Sequence, residues 1–360
     1  MENFDYDLQS VQEARNLARL GKIATDKLAD YTEEQIDKIL QNMVRVAEEN
    51  AVMLAKMAVE ETGFGKVEDK TYKNHMASTI VYNYIKDMKC SGIIHEDPVN
   101  KMMEVADPVG LIMGIVPSTN PTSTAIYKSM IAIKARNAIV FSPHPSALQC
   151  TLKAATLMRD AAVAAGAPEN VIGCLSMPSM GATDELMKCK ETSMIIATGG
   201  PGMVKAAYSA GKPALGVGAG NSPSYIERTA DVAQSVKEIL ASKTFDNGTV
   251  CASEQSVICE ECNRDQVIAE FKKQGGYFMT AEETAKVCNL LFKNGGHSMS
   301  AKFVGRSAQV IATAAGISIP DGTRVLIGEQ QGVGDGYPLS YEKLTTVLAF
   351  YTVRDWHEAC

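Results

Sequence analysis

The sequence has no uninterrupted apolar run of about 18 residues, the length that a membrane-spanning helix needs. It also has no excess of positive charge, since 35 lysines and arginines against 42 aspartates and glutamates give a formal net charge of −7. A chain without a basic field does not attract a phosphate backbone, which argues against nucleic acid as a partner. The opening segment, MENFDYDLQSVQEARN, is polar and acidic, which argues against a signal peptide. These absences predict a cytoplasmic protein.

Metal-binding patterns are missing as well. The nine cysteines are an odd number spread through 360 residues, which favours reduced thiols over a disulfide scaffold. Cys259 and Cys262 form a CxxC pair, but no second pair lies at zinc-ribbon spacing. The five histidines form no HxxxH pair. The sequence therefore predicts no metal site.

What the sequence does contain is a series of short apolar runs, each followed by a segment with helical spacing. Continuous apolar strands that alternate with helices predict an α/β fold, with a parallel sheet covered on both faces. The composition, 46% apolar and 21% charged, is that of a globular chain large enough for two domains. The five runs are LIMGIV at 111–116, AIVFS at 138–142, VIGCL at 171–175, MIIAT at 194–198 and ALGVG at 214–218.

The carboxyl ends of these strands are the expected ligand site, because parallel sheets bind ligands there. Those ends contain PSTN, SPHPS, TGGPG and GVGAGN, and their glycines allow a ligand to approach the backbone closely. The last segment is GxGxG rather than GxGxxG and follows a late strand, so as a dinucleotide fingerprint it is weak. Ordinary turns are the alternative interpretation.

Two further regions flank the sheet. Residues 91–107 read as a hairpin or projecting arm of the kind that often serves oligomerisation. We expect one domain at 1–228 and a second at 229–360, which continues past the final FYTVRDWHEAC. Helical spacing is present at 9–22, 32–59 and 67–88, and strands are expected around 302–304, 324–327 and 347–353.

Cys251 is the candidate nucleophile. It stands in FDNGTVCASEQS, after a polar turn that contains glycine. The turn is expected to lead into a helix or a strand. If a helix starts there, backbone N–H groups and the helix dipole stabilise its thiolate. The alternative interpretation is a buried small hydrophobic residue. That interpretation is preferred for the cysteines in helical or strand patterns, which are Cys90, Cys150, Cys174, Cys189 and Cys288.

Five long segments resemble the aldehyde dehydrogenase superfamily, and within it the CoA-acylating branch. The resemblance runs through the whole chain and implies a Rossmann-type cofactor domain, a second α/β catalytic domain and an oligomerisation arm. The segments are EDKTYKNH at 68–75, GIVPSTNPTSTAIYKS at 114–129, RNAIVFSPHPSA at 136–147, ATGGPGMVKAAYSAGKPALGVGAGNSP at 197–223 and SKTFDNGTVCASEQSV at 242–257.

The resemblance assigns catalytic roles to two residues. Cys251 matches the family's nucleophile, whose thiolate attacks the aldehyde carbon and later carries the acyl group as a thioester. Asn120 matches the amide that, with the backbone N–H of Cys251, holds the developing alkoxide.

The resemblance also assigns residues to a nicotinamide cofactor. Glu342 in YEKL matches the acidic residue that binds the nicotinamide ribose, and Ser142 and Pro143 match a strand end near the adenosine ribose. The remaining matches are Ile115, Val116, Pro117, Ser118, Thr119 and Asn120 beside the cofactor, and Gly200 and Gly218 facing it.

Two departures from the hydrolytic members refine the expected function. Val217 stands where those members carry a glutamate that activates water, and valine takes no proton. The thioester should therefore await the thiol of CoA. Ser142 stands where many of them have a lysine, which favours NAD over NADP.

The resemblance thus implies an enzyme that converts a short aldehyde, NAD and CoA reversibly to acyl-CoA and NADH. Acetaldehyde is the default substrate, with sulfoacetaldehyde or propionaldehyde as alternatives. The arm at 91–107 is expected to pair subunits into a homodimer or a larger homo-oligomer. Two alternatives from other classes are a catalytically silent, nucleotide-binding structural subunit and a thiol hydrolase, which needs a histidine near Cys251.

Overall fold

A computed structural model describes residues 5–293 and 298–360, which form two compact units. One unit takes in the described residues up to Thr62 together with Val67–Gly218. The other takes in Gly63–Lys66 and Ala219–Cys360.

The first unit is built on a sheet of five parallel strands, which confirms the predicted α/β fold. The five apolar runs of the sequence are these five strands, and the two buried along their whole length are the runs LIMGIV and AIVFS. The strands of this unit are β1 (Gly92–Asp97), β2 (Met102–Ala106), β3 (Leu111–Val116), β4 (Ile139–Pro143), β5 (Ile172–Cys174), β6 (Thr192–Thr198) and β7 (Ala214–Val217). The order in the sheet is β5-β4-β3-β6-β7.

This order creates a switch point between β3 and β6. From β3 the chain moves outward through β4 to β5, and then crosses back to place β6 on the other side of β3. The connections after β3 and β6 therefore leave the sheet in opposite directions. Open α/β sheets bind ligands in the crevice that this reversal opens at the carboxyl ends of the strands.

The helices of the first unit follow the predicted pattern with one difference. Residues 67–88 are not one regular helix, because a π-helical turn at Met76–Ile80 joins α3 to α4. Pro121 and Pro201 each stand at a first helical position, where the missing N–H costs nothing. The helices are α1 (Tyr6–Leu28), α2 (Glu33–Thr62), α3 (Val67–His75), α4 (Val81–Ile85), α5 (Pro121–Lys134), α6 (Leu148–Ala164), α7 (Met180–Lys188) and α8 (Pro201–Tyr208). Among the described residues, no helix combines the length and apolarity that crossing a membrane requires.

The expected hairpin at 91–107 is present as the antiparallel pair β1 and β2. All but the last residue of each strand is exposed. The apolar side chains on it that are exposed are Ile93, Ile94, Val99, Met102, Met103 and Val105.

The second unit contains another sheet of five parallel strands. Its strands are β8 (Ser222–Ile226), β9 (Glu254–Glu260), β10 (Gly276–Phe278), β11 (Phe292–Lys293), β12 (Ser298–Met299), β13 (Val325–Glu329) and β14 (Val347–Val353). The sheet order is β10-β13-β14-β9-β8, and β11 pairs with β12 separately. Its helices are α9 (Val232–Thr244), α10 (Arg264–Lys273), α11 (Ala281–Leu291), α12 (Ala308–Ala315) and α13 (Trp356–Ala359).

The boundary between the units differs from the predicted residue 228. The division falls after Gly218, because β8 pairs with β9 and so joins the second sheet. The strand expected at 302–304 is also wrong, since Ala301–Phe303 is a short 3₁₀ helix. The strands expected at 324–327 and 347–353 are β13 and β14.

Candidate active site

Cys251 lies in a turn between a 3₁₀ segment, Phe245–Gly248, and strand β9. Of the helix and the strand that the sequence leaves open after this turn, the structure has the strand, so no helix dipole acts on the thiolate of Cys251. The residues after it carry β-branched Val257 and Ile258 and pair with strands on both sides, which fixes them as a central strand. The thiol is half-buried.

The turn before Cys251 has an unusual backbone. Asp246, Asn247 and Gly248 have φ values of 49°, 50° and 77°, three consecutive residues in the left-handed region. Only the last is glycine, so the other two carry a conformational cost that the surroundings must offset. A Cβ on Gly248 would stand 2.6 Å from the carbonyl oxygen of Thr345, which explains the glycine there.

Hydrogen bonds hold this turn in place. The carboxylate of Asp246 is fully buried and accepts from the backbone N–H of Lys66 at 2.7 Å and from Thr249 Oγ1 at 2.6 Å. Asn247 Nδ2 donates to the carbonyl of Gly305 at 3.0 Å. The two bonds to the Asp246 carboxylate are charge-assisted, and such bonds are among the stronger ones in proteins. They fix the turn that carries the candidate nucleophile.

Gly220 connects Cys251 to Glu342. A Cβ on Gly220 would lie 1.7 Å from the carbonyl oxygen of Cys251, so the two backbones are in direct contact. The N–H of Gly220 donates to Glu342 Oε1 at 2.8 Å. Gly220, Cys251 and Glu342 therefore meet at one place in the second unit. The glycine that allows the close approach is needed there by the protein itself.

Two fully buried lysines stand beside Glu342. Lys243 donates from Nζ to Gln255 Oε1 at 3.1 Å and to the carbonyl of Lys343 at 2.9 Å. Burial lowers the pKa of Lys243 to about 7 and holds the pKa of Lys343 well below its ordinary value. Burial raises the pKa of Glu342, while the N–H of Gly220 and the two lysines oppose that rise.

The three residues from Ser253 to Gln255 form a second polar feature near Cys251. Ser253 Oγ, Glu254 Oε2 and Gln255 Nε2 are buried and have no hydrogen-bond partner among the described residues. Buried polar atoms in folded proteins are normally satisfied, and ordered water or a ligand supplies the bond when the protein does not. These unsatisfied atoms follow Cys251 closely along the chain, at the start of β9.

The expected cofactor residues of the first unit lie at the carboxyl edge of its sheet. Ile115 and Val116 end β3, and the adjacent β4 ends with Ser142 and Pro143 in register with them. Pro117, Ser118, Thr119 and Asn120 form the loop from β3 to α5, Gly200 stands between β6 and α8, and Gly218 follows β7. The Ser142 hydroxyl is buried and forms a 2.8 Å hydrogen bond with Thr183 Oγ1.

This edge fits a dinucleotide at two points. Thr198 Oγ1, at the end of β6, is buried without a hydrogen-bond partner in the part of the chain that the structure describes. A Cβ built on Gly200 would meet no described atom within 4 Å, and one on Gly218 would meet only Val204, at 4.0 Å. An unsatisfied hydroxyl beside open backbone at the switch point is suited to a polar ligand that lies across the strand ends.

The comparisons with known proteins agree with this geometry. Residues 5–281 match the aldehyde dehydrogenase family. The chain belongs to that family. It is 48% identical over 350 residues to the bifunctional aldehyde-alcohol dehydrogenase AdhE of Escherichia coli, covering 97% of this chain and 39% of that protein. It is 40% identical over 357 residues to the acylating sulfoacetaldehyde dehydrogenase of Bilophila wadsworthia, covering 98% of this chain and 76% of that one.

Solved structures of aldehyde dehydrogenases superpose closely on the chain. An acetylating aldehyde dehydrogenase from Geobacillus thermoglucosidasius gives a TM-score of 0.95 at 55% identity, over 99% of this chain and 78% of that one. A propionaldehyde dehydrogenase from Rhodopseudomonas palustris, with bound CoA and an acylated cysteine, gives a TM-score of 0.84 at 27% identity. That match covers 96% of this chain and 78% of the other. The chain thus spans about two fifths of the bifunctional relative and about three quarters of these shorter ones.

In this family member the expected site residues divide between the two units. Asn120 and most of the cofactor residues are in the first unit, and Cys251 and Glu342 are in the second. The contacts described above group the members of each set separately.

Sequence reasoning missed the buried lysines of this family member. Lys128 on α5 is fully buried and donates to the carbonyls of Ile115 at 2.8 Å and Ile196 at 2.9 Å, which joins the ends of β3 and β6. Lys243 follows Val236 and Leu240 on the buried stripe of α9. A lysine on an apolar helical stripe was the available signal, because such a position predicts a buried ammonium with specific acceptors.

Proposed function

We propose that the protein is a CoA-acylating aldehyde dehydrogenase, which converts a short aldehyde, NAD and CoA reversibly to acyl-CoA, NADH and a proton. The observation that carries the proposal is Val217 at the end of β7, where hydrolytic family members have a glutamate, in a chain that keeps Cys251. Similarity to acylating relatives supports it.

Cys251 performs the first step. Its thiolate attacks the aldehyde carbon and forms a thiohemiacetal, with the negative charge moving to the former carbonyl oxygen. We assign the Nδ2 group of Asn120 and the backbone N–H of Cys251 to that oxygen. Donors fixed in place before the reaction stabilise such a charge most effectively. The constrained turn at 246–248 precedes this N–H, and the contact of Gly220 with the Cys251 carbonyl restrains the backbone on the other side of the cysteine.

The proposed cofactor is NAD, which accepts a hydride from the substrate carbon when bound. We assign its binding to the carboxyl edge of the first sheet, around Ile115–Asn120, Thr198, Gly200 and Gly218, and its nicotinamide ribose to Glu342. The carboxylate of Glu342 already holds the N–H of Gly220 through Oε1, which leaves Oε2 as the oxygen assigned to the ribose.

Deacylation decides between an acid and a thioester product. Val217 is 46% exposed and has no group that takes a proton from water. The thioester on Cys251 is then cleaved by the thiolate of CoA, which bonds to the acyl carbon while the Cys251 thiolate leaves. One thioester replaces another of similar energy, so the step runs in either direction.

Acetaldehyde is the default substrate. The names of relatives supply two further aldehydes, sulfoacetaldehyde and propionaldehyde. The exposed apolar hairpin of β1 and β2 is the proposed contact for a homodimer or larger homo-oligomer.

NADH formation with a panel of aldehydes, with and without CoA, tests the proposal. We expect turnover that needs CoA and is abolished in Cys251→Ala but retained in the matched Cys288→Ala. Equal rates without CoA, or activity that survives Cys251→Ala, would contradict it. A protein that binds NAD but never turns over would favour the silent structural subunit.

Val217→Glu tests the carrying observation directly. We expect this variant to release free acid without CoA, at least about tenfold faster than wild type, because general bases contribute roughly a hundredfold or more. Val217→Gln has the same size without a base and should behave as wild type. An equal gain in both variants would show that polarity at this position, and not proton transfer, controls hydrolysis.

A further inference from the structure

Helix α3 presents a buried polar face to the loop that carries Asn120. Lys70, Lys73 and Asn74 are 2%, 8% and 0% exposed, although all three side chains are polar. They stand at positions i, i+3 and i+4, which places them on one side of the helix. Burial of an ammonium is costly unless its hydrogen bonds are made, so each buried lysine needs specific acceptors.

The two lysines contact the loop, and Asn74 contacts the first turn of α5 that follows it. Lys70 Nζ donates to the carbonyl of Thr119 at 2.8 Å, and Lys73 Nζ donates to the side-chain Oδ1 of Asn120 at 2.7 Å. Asn74 Oδ1 accepts from the hydroxyl of Thr122 at 2.8 Å, and its Nδ2 donates to the carbonyl of Ala51. Of the two lysine contacts, that of Lys73 reaches the functional side chain and that of Lys70 reaches backbone.

The side chain of Asn120 bonds Lys73 and does not cap its own helix, α5. Asn120 stands at the N-cap of α5, where an asparagine usually accepts a backbone N–H of its own helix through Oδ1. Here no such side-chain capping bond forms, and the backbone has φ −136° and ψ 54°. The oxygen that would cap the helix is bonded to Lys73 instead.

An ammonium also settles which way the amide faces. Lysine has donors and no acceptor, so the atom of Asn120 that faces it must be the oxygen. Nδ2 therefore lies on the far side, where one N–H donates to Thr119 Oγ1 at 3.2 Å. The adjacent positive charge also polarises the amide and strengthens its N–H groups as donors.

We infer that Lys73 is a positioning residue that orients and polarises the Asn120 amide for the oxyanion. This inference rests on the proposed function, since it assigns to Lys73 the control of the donor used in thiohemiacetal and thioester formation. Lys73 acts through Asn120 and does not itself touch the substrate.

A double-mutant cycle on Cys251 acylation tests the inference. The readout is the burst of p-nitrophenolate from p-nitrophenyl acetate, which passes through a tetrahedral oxyanion and needs neither NAD nor CoA. Loss of an oxyanion donor typically costs about a hundredfold, so we expect that loss in Asn120→Ala. In Lys73→Met the burst rate should fall about tenfold. The double variant, Lys73→Met with Asn120→Ala, should have the burst rate of Asn120→Ala within about threefold, because the effects of neighbouring residues that act through one group are not additive.

Lys134→Met is the matched control. Lys134 is also a buried lysine of the first unit, at the other end of α5, and donates to Glu33 and to the carbonyl of Lys86. Its loss should lower stability without changing the burst rate of folded protein. If Lys73→Met does not fold by circular dichroism, Lys73→Gln repeats the cycle with a polar side chain.

The outcomes separate this inference from the proposed function. The role of Lys73 is overturned if the two reductions in burst rate multiply in the double variant, or if a Lys73 variant has the wild-type burst rate. Either result counts against Lys73 even if NADH formation depends on CoA. A Cys251-dependent burst that follows the expected cycle supports Lys73 even if CoA-dependent turnover is absent. A wild type with no Cys251-dependent burst overturns both.

Discussion

The two parallel sheets use glycine in opposite ways. In the first unit, a Cβ on Gly200 would meet no described atom within 4 Å, so the backbone after β6 is open. In the second unit, a Cβ on Gly220 would stand 1.7 Å from the Cys251 carbonyl oxygen. Glycine thus leaves space for a ligand at one sheet and permits tight packing behind the candidate nucleophile at the other. The same residue type in neighbouring motifs of the sequence serves two physical purposes.

Buried lysines show what the units have in common. Lys128 in the first and Lys243 in the second are both fully buried. Lys128 donates to the carbonyls of Ile115, an expected site residue, and Ile196, and Lys243 donates to the carbonyl of Lys343, which follows Glu342. In each unit an ammonium fixes segments that are distant in sequence. Buried lysine side chains therefore hold segments that carry expected site residues in both units.

Substitution of the two glycines should give the largest contrast. In Gly220→Ala the backbone must move against Cys251, and we expect kcat/KM to fall by at least about a hundredfold, as displacements near 1 Å do. Alkylation of Cys251 by iodoacetamide should slow in parallel. Gly200→Ala should change the free energy of unfolding by no more than about 0.5 kcal/mol and raise the Kd for NAD. Similar losses of activity and stability in both variants would remove the distinction between open and packed glycines.

The pH dependence of stability should reveal the buried lysines. Burial lowers the pKa of Lys128 and of Lys243 to about 7, whereas an unfolded lysine titrates near 10.4. Between these values the unfolded chain binds more protons, so the free energy of unfolding rises with pH from about 7 toward 10. Below about pH 7 both states are protonated and the contribution no longer changes.

Urea midpoints at pH 7 and pH 9.5 measure this effect. We expect Lys128→Met and Lys243→Met each to reduce the increase seen in wild type. Lys153→Met, at an exposed position of α6, should keep it. If the urea midpoint changes by the same amount between pH 7 and pH 9.5 in all four proteins, the two buried ammonium groups keep their protons throughout this range.

Thr198→Val should give the smallest and most specific effect. The hydroxyl is buried without a partner among the described residues, so its removal relieves an unsatisfied group and should stabilise the protein by up to about 1 kcal/mol. The Kd for NAD should rise several-fold because the ligand loses a partner.

Thr183→Val is the matched control for that change. Its hydroxyl is bonded to Ser142 Oγ and to the carbonyl of Ser179, so the variant should lose stability. Calorimetry of both variants, with and without NAD, distinguishes the loss of an unsatisfied hydroxyl in Thr198→Val from the loss of a hydrogen-bonded one in Thr183→Val. Unchanged NAD affinity in Thr198→Val would remove this threonine from the cofactor site.

Local patterns predicted much of the fold and less of the site. The runs LIMGIV and AIVFS became fully buried strands because a strand covered on both faces needs apolar side chains throughout. Local pattern left either a helix or a strand open after the turn at Cys251, and pairing of β9 with β14 and β8 decides for the strand. The boundary moved for the same reason, since β8 gains its partners from the second sheet.

The sequence by itself determined the α/β architecture, the edge of the sheet where a ligand is expected, the family and the candidate nucleophile. These follow from periodicity and from motifs whose residues are close along the chain. Only the tertiary structure decided that Lys73 bonds the amide of Asn120, 47 residues away, and that Lys243 reaches the carbonyl of Lys343, 100 residues away. The physical reason is that a buried charge takes its acceptor from whichever segment folding brings beside it, and no local pattern encodes that choice.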